Sequence, residues 1–214
     1  MRRINKGSEP VELTDYKSRG KRQLEDYALR QKLREALCRE QHYICAFCQA
    51  EIAPDAKKMR IAHVVPQSDP KDGARLAVEW TNLVGSCSGG EGKPSKEHHC
   101  DKKQSKDRLP DRLDPVRLQP GTIRYDSQAR VVGCDAEVQH AIENVLGLNI
   151  WKLRNLRDNM LKTLQHVLDT DGSDERLAQE IARLEDPDAT HLAPCVDYLL
   201  WRLRERLSSE RRAQ

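Results

Sequence analysis

The chain has 214 residues, of which 37% are hydrophobic, 33% charged and 4% aromatic. That length allows one domain or one and a half, and the composition excludes both a large aromatic core and wholesale disorder. The formal net charge of +3 permits nucleic acid as a partner without arguing for it, because proteins dedicated to coating DNA are usually more basic. No apolar run is long enough to span a membrane, and the opening Met1-Arg2-Arg3-Ile4-Asn5-Lys6-Gly7 lacks the apolar stretch of a secretory signal. These features predict a cytoplasmic protein with no membrane partner. In a reducing compartment its seven cysteines are expected to be thiols or metal ligands rather than disulfides.

In chain order, residues 1–22 are polar, carry Gly7, Pro10 and Gly20, and are expected to form an extended arm, either frayed or docked. Residues 23–41 place Leu24, Tyr27, Leu33, Ala36 and Leu37 among charges, which predicts an amphipathic helix. Alternation through Met59, Ile61, His63 and Val65 predicts a strand ending near Pro66. A second strand is expected over Trp80-Thr81-Asn82-Leu83-Val84, followed by a glycine-bearing loop over 88–98 and a short polar helix from Cys100-Asp101. Residues 121–133 read as a hairpin turning at Asp126-Ser127. From 136 onward the chain reads as helical. Gly147 interrupts a first helix and Asn149 is expected to cap the next, whose stripe includes Leu153, Leu156, Met160, Leu161, Leu164 and Val167. A helix after Ser173 should stop at Asp186-Pro187, and the last carries Val196, Leu199, Leu200, Leu203 and Leu207.

Cys45-Ala46-Phe47-Cys48 forms a tight pair whose two thiolates can face one ion, and zinc wants four such ligands in a tetrahedron. Cys87 and Cys100, separated by twelve residues that include three glycines, are the best second pair, with His98 and His99 as rival fourth ligands. Cys38, Cys134 and Cys195 read as small buried hydrophobes.

Between and beside these pairs stand His63, Asn82 and Asp101. A neutral imidazole can take a proton from water during phosphodiester hydrolysis. Asn82 could orient the ring by accepting its other N–H. Asp101, with His99, could supply ligands to a catalytic magnesium or manganese ion. Lys102 and Lys103 could hold phosphates or form a solvated helix face.

Several stretches carry a resemblance: Cys45-Ala-Phe-Cys48, Arg60-Ile-Ala-His63-Val-Val-Pro66-Gln-Ser, Trp80-Thr-Asn82-Leu-Val-Gly-Ser-Cys87, Gly89-Gly-Glu-Gly92 and His99-Cys100-Asp101-Lys-Lys. With the opening from Lys6-Gly7 to Tyr16 and the segment Leu146-Gly-Leu-Asn149, they resemble the HNH subunit of Septu-type and retron-associated anti-phage systems. The resemblance implies an α+β fold, in which a zinc-stapled ββα-metal core follows an N-terminal arm and helix and precedes a mostly helical C-terminal region. It implies an arm over 1–22, a nuclease domain over 23–115, and a hairpin with helices over 116–214. It implies His63 as general base, zinc on Cys45, Cys48, Cys87 and Cys100, and a complex with an ABC-type ATPase. One departure stands out: many HNH enzymes carry an acidic metal ligand just before the histidine, and here that residue is Ala62.

DNA is the expected substrate. An RNA such as tRNA is an alternative, because water rather than the 2′-hydroxyl is the nucleophile. A non-catalytic zinc module binding nucleic acid or protein is a further alternative, in which His63 would be dispensable. The leucine stripes of the last helices read as core, whereas Trp201, Arg202, Arg204, Arg206, Arg211 and Arg212 could dock a partner, in a homo- or hetero-oligomer.

Overall fold

The structure, a computed structural model, describes the backbone of residues 1–168 and 173–213 and the side chains of 1–165 and 173–208. The side chains of Val167, Arg211 and Arg212 lie outside the described residues.

The N-terminal segment departs from the expected extended arm. Residues Val11–Ser18 form helix α1, which starts where Pro10 accepts from the backbone N–H of Leu13 (2.9 Å) and of Thr14 (3.2 Å). Met1, Ile4 and Leu13 are buried. Sparse apolar residues are enough here because Lys6 fastens the segment. Its ammonium reaches Glu40 at 2.5 Å and the Leu83 carbonyl at 3.0 Å, and lies 3.6 Å above the Trp80 ring centroid. A buried cation with an anion, a carbonyl and an aromatic face keeps its charge compensated.

Helix α2, Tyr27–Glu40, begins as a side-chain cap allows: the Asp26 carboxylate accepts from the Leu29 N–H at 2.8 Å. Leu29, Leu33 and Leu37 recur at every fourth position and are buried with Cys38. This stripe packs on strands β1, Met59–His63, and β2, Leu83–Cys87, which pair antiparallel. The register sets His63 opposite Leu83 at one end and Met59 opposite Cys87 at the other, which separates the ends by about 14 Å at strand rise. The second strand starts later than expected. Trp80–Asn82 forms a 3-10 turn, so Asn82 precedes β2 rather than belonging to it. Its N–H bonds the Glu79 carbonyl (2.8 Å) instead of a neighbouring strand. A short helix α3, Gly73–Leu76, lies in the connection.

Helix α4, Cys100–Gln104, follows the glycine loop and packs against both β1 and β2. The loop can turn back so closely because it has glycines. A Cβ on Gly89 (φ +64°) would stand 2.4 Å from the His99 carbonyl oxygen, and one on Gly90 (φ +79°) 2.6 Å from that of Glu97.

The hairpin appears as expected, with β3, Ile123–Tyr125, paired to β4, Val131–Gly133. Helix α5, Ala136–His140, continues into a π-helical turn, Ala141–Val145, before Gly147 (φ +60°). Helices α6, Trp151–Leu168, α7, Asp174–Leu184, and α8, Val196–Ala213, follow. Ser173 caps α7 by accepting from Arg176 N at 3.2 Å. The side chain of Asn149 is engaged elsewhere than at the expected cap: it accepts from Val131 N and donates to Val131 O, each at 2.8 Å. Leu199, Leu200 and Leu203 of α8 are buried, so its stripe is core. Trp201 stacks on Tyr198, and Arg204 pairs with Glu185.

The start of α8 is tied to the first cysteine pair. Gln49, buried, donates to the Asp197 carboxylate at 2.7 Å, and its carbonyl accepts from Cys195 N at 3.0 Å. Cys38 and Cys195 are buried as expected, but Cys134 is exposed. It sits just past β4, beside the Asp135 cap of α5, where the chain bends at the surface. Among the described residues, no helix is long and apolar enough to cross a membrane.

Candidate metal centre and catalytic cleft

Cys45, Cys48, Cys87 and Cys100 converge, with all four sulfurs within 4.8 Å of one another and all four residues buried. The Sγ atoms of Cys45 and Cys100 are 3.9 Å apart, and those of Cys48 and Cys87 are 3.7 Å apart. Four sulfurs about 2.3 Å from a shared zinc stand about 3.8 Å from one another, so the donor set fits a tetrahedral zinc. Cys45 and Cys48 are brought together by a turn in which Gln49 N bonds the Cys45 carbonyl at 3.0 Å. Backbone N–H groups point at the sulfurs: Cys87 N donates to Cys45 Sγ at 3.3 Å and Ala50 N to Cys48 Sγ at 3.5 Å. Cys87 comes from the end of β2 and Cys100 from the first position of α4. Cys100 adopts φ +53°, rare for a residue with a side chain. His98 and His99, the rival ligands, are not part of the cluster.

The thiols differ in acidity. Burial raises Cys45, but hydrogen bonds from Cys100, Cys48 and Cys87 outweigh it and hold this thiol well below its ordinary value. Burial and the three neighbouring sulfurs push Cys100 well above. Without a cation, the cluster favours thiolate on Cys45 and resists it on Cys100. Binding zinc therefore has to displace protons.

His63 ends β1 and faces a cleft of about 430 Å³, whose lining includes Asp101, Arg30, Ser105 and Ile61. Its Nε2 lies 2.9 Å from the Ala77 carbonyl oxygen. A carbonyl only accepts, so Nε2 carries the proton and Nδ1 is the basic nitrogen, with no protein partner among the described residues. Burial lowers the histidine's pKa, and the Ala77 bond partly opposes this. Asp101 enters from α4, one residue past Cys100 of the cysteine cluster, and burial pushes its carboxyl up. Arg60 Nη1 lies 3.9 Å from it. The helix is held to the strand by Gln104, buried, which donates to the Val64 carbonyl at 2.9 Å. Sequence reasoning missed Gln104 and Gln49. Both follow a cysteine or its helix by a few residues, but nothing in a lone glutamine marks its partner.

Asn82 does not bond the His63 ring. Its side chain accepts from Val65 N (2.8 Å) and donates to the carbonyls of Val65 and Leu76 (3.1 Å each). It therefore clasps the chain leaving β1 to the segment that supplies the Ala77 carbonyl. Asn82→Ala is expected to cost about 2 kcal/mol, because it orphans three partly buried backbone groups. Urea unfolding checks this, and unchanged stability would show the clasp to be idle.

His99 does not line the cleft. It is 4% exposed and donates from Nδ1 to the Glu97 carbonyl at 3.0 Å. Lys103 donates to the Glu143 carbonyl at 3.0 Å, and neither Lys102 nor Lys103 lines the cleft. Ala62 is fully buried, so a carboxylate there would face the interior. Among the described residues, no second group of three potential ligands gathers outside the cysteine cluster. The cleft thus offers one carboxylate, Asp101. This fits a magnesium ion that keeps most of its shell as water and substrate oxygen.

No family model matches the chain. A protein of Escherichia coli named "Retron Ec83 putative HNH endonuclease" is 28% identical over 99 residues, covering 42% of this chain. The matched stretch spans 38% of that relative's length. This similarity supports an HNH endonuclease family for the chain, whose structure is α+β with small two-stranded sheets and a four-cysteine cluster suited to zinc.

Proposed function

We propose that this chain is an HNH endonuclease that hydrolyses phosphodiester bonds, with DNA as substrate. The observation that carries the reading is the meeting of His63 and Asp101 in one cleft, on two strands and a short helix stapled by the cysteine cluster. In this reading His63 Nδ1 takes the proton from the attacking water, while the Ala77 carbonyl fixes the ring through Nε2–H. Asp101 would hold a divalent cation, which would supply charge stabilisation for the phosphoryl and leaving oxygens. Gln104 and Asn82 position the helix and the loop around the base. The structural zinc sits on Cys45, Cys48, Cys87 and Cys100.

The setting is a cytoplasmic anti-phage complex with an ABC-type ATPase, which restrains or licenses cleavage. Its support is the motif resemblance and the retron-associated relative. Incubating the co-purified complex with plasmid and with total RNA, in magnesium and in EDTA, tests it. Magnesium-dependent nicking of the plasmid is expected. Cleavage of RNA alone would replace DNA as the substrate, and no cleavage of either would remove the nuclease reading.

A pH profile adds a signed prediction. The base works only when neutral, so activity is lost as pH falls through the His63 pKa. Burial places that pKa below the ordinary histidine value, so the acid limb should lie below pH 6.5. An acid limb above that value in initial rates would contradict His63 as the titrating base.

A further inference from the structure

We propose that Arg30 on α2, with the charge of Arg34 behind it, forms a phosphate-binding site in the His63 cleft and grips the substrate backbone beside the attacked linkage. This rests on the nucleic-acid reading above and adds the residues that hold the polyanion.

Arg30 lines the same cleft as His63 and Asp101. Its Nε is buried with no hydrogen-bond partner among the described residues. Arg34 stands one helical turn further on, 8% exposed, and both its Nε and its Nη1 are buried without partners. Buried donors are nearly always satisfied, and unsatisfied ones with charge are the most costly. The carboxylates that could have answered them are used or too far away. Asp101 faces Arg60, and Asp55 acts on Arg34 through its field without forming an ion pair. Two like charges at i and i+4 on one helix repel each other. A phosphate diester at Arg30 relieves this repulsion, since a guanidinium fork matches its paired oxygens, and the buried Arg34 adds its charge from behind. The approach is also basic: Arg19, Lys21 and Arg22 are exposed and run directly into Leu24, which lines the cleft.

The bland reading is that the two guanidiniums only cover the stripe of α2 with their apolar stems. Salt dependence separates the readings, because each phosphate neutralised releases counterions and adds about 0.9 to the slope of log affinity against log salt. The full-length protein carrying His63→Ala binds without cleaving, and anisotropy with a fluorescein-labelled DNA duplex and a labelled RNA hairpin supplies the titrations. Adding Arg30→Ala should weaken binding and lower the slope by about one, and Arg34→Ala should weaken it less. Arg30→Lys should keep the slope. Zinc content and melting midpoint, measured on the same samples, identify variants that lose the fold; for such a protein Arg30→Lys and Arg30→Gln carry the comparison.

A slope unchanged by Arg30→Ala and Arg30→Gln overturns the proposal, as does failure of the parent to bind either probe. The same loss seen only with the RNA hairpin keeps the site and assigns its phosphates to RNA. Failure of the catalytic reading looks different: the His63→Ala protein would go on cleaving while the slopes fell as expected.

Discussion

Replacing His63 by alanine is expected to slow cleavage by about 10²–10⁴-fold, the usual share of a positioned general base. The loss should fall on kcat, because the imidazole acts on the attacking water and does not hold the substrate. The fold should survive. His63 is half-buried at the end of β1, and it makes a single hydrogen bond, to the Ala77 carbonyl. Removing the ring joins the space it fills to the adjoining cleft of about 430 Å³, which gives water a path to that carbonyl. Zinc content and melting midpoint should therefore match the parent, and rate should not. The measurement is a plasmid-nicking time course with the co-purified complex in magnesium, alongside metal analysis of the same preparation. Undiminished nicking would leave the four cysteines as the centre of a binding module. A lost fold would mean that His63 supports β1 more than its single contact implies.

The Asn82 clasp sharpens that expectation. Asn82 sits between the two elements that frame His63, so it reaches the base through Ala77 and the loop. Asn82→Ala should lower stability and rate together. His63→Ala should lower rate alone.

Much of this was legible in the sequence because it depends on local pattern. Leu33 and Leu37 repeat with the helix, the helix after Ser173 begins where that residue caps it, and Gly147 stops a helix where a left-handed residue is needed. The cysteine cluster was legible for a chemical reason: two thiol pairs suit a soft cation that wants four such ligands. Contacts between distant segments were not legible. Asn82 looked like a partner for the His63 ring because both lie in adjacent segments, yet its amide turns toward Val65 and Leu76. His99 looked like a free ligand, but its imidazole is spent on the Glu97 carbonyl. The sequence left the first residues open between frayed and docked because their few apolar side chains are spread over thirteen positions, and the salt bridge that docks them joins Lys6 to Glu40. Arg30 sits in an ordinary charged helix, and only the fold places it beside His63 and Asp101.

Removing the zinc should do more than any substitution in the cleft. Cys45→Ala is expected to abolish metal binding and to unfold the segment around β1, β2 and α4. The cluster joins the Cys45–Cys48 turn, the end of β2 and the first turn of α4, three short elements: the sheet is two strands and α4 is five residues long. A two-stranded pair is marginal alone, and a helix that short has no stability of its own. Structural zinc on such ligands contributes about 10–16 kcal/mol at neutral pH, against a total domain stability of about 5–15 kcal/mol. Losing one ligand also strands the other thiols, because Cys100 is pushed up by burial and by its neighbouring sulfurs and returns to the neutral form. The binding site for the cation then disappears along with the charge that drew it. Because Cys100 must release a proton to the metal, zinc affinity should fall as pH is lowered, in the same direction as the loss of the neutral His63, so metal content is measured alongside rate to tell the two apart. Metal analysis of the purified Cys45→Ala chain, with circular dichroism and a chelator titration of the parent, reads both effects. The expected results are no zinc in the variant, a lower or lost cooperative transition, and a parent that melts earlier once chelated. A Cys45→Ala protein that keeps both its metal and its melting midpoint would show that the four sulfurs are a packed thiol cluster and not the staple of the site.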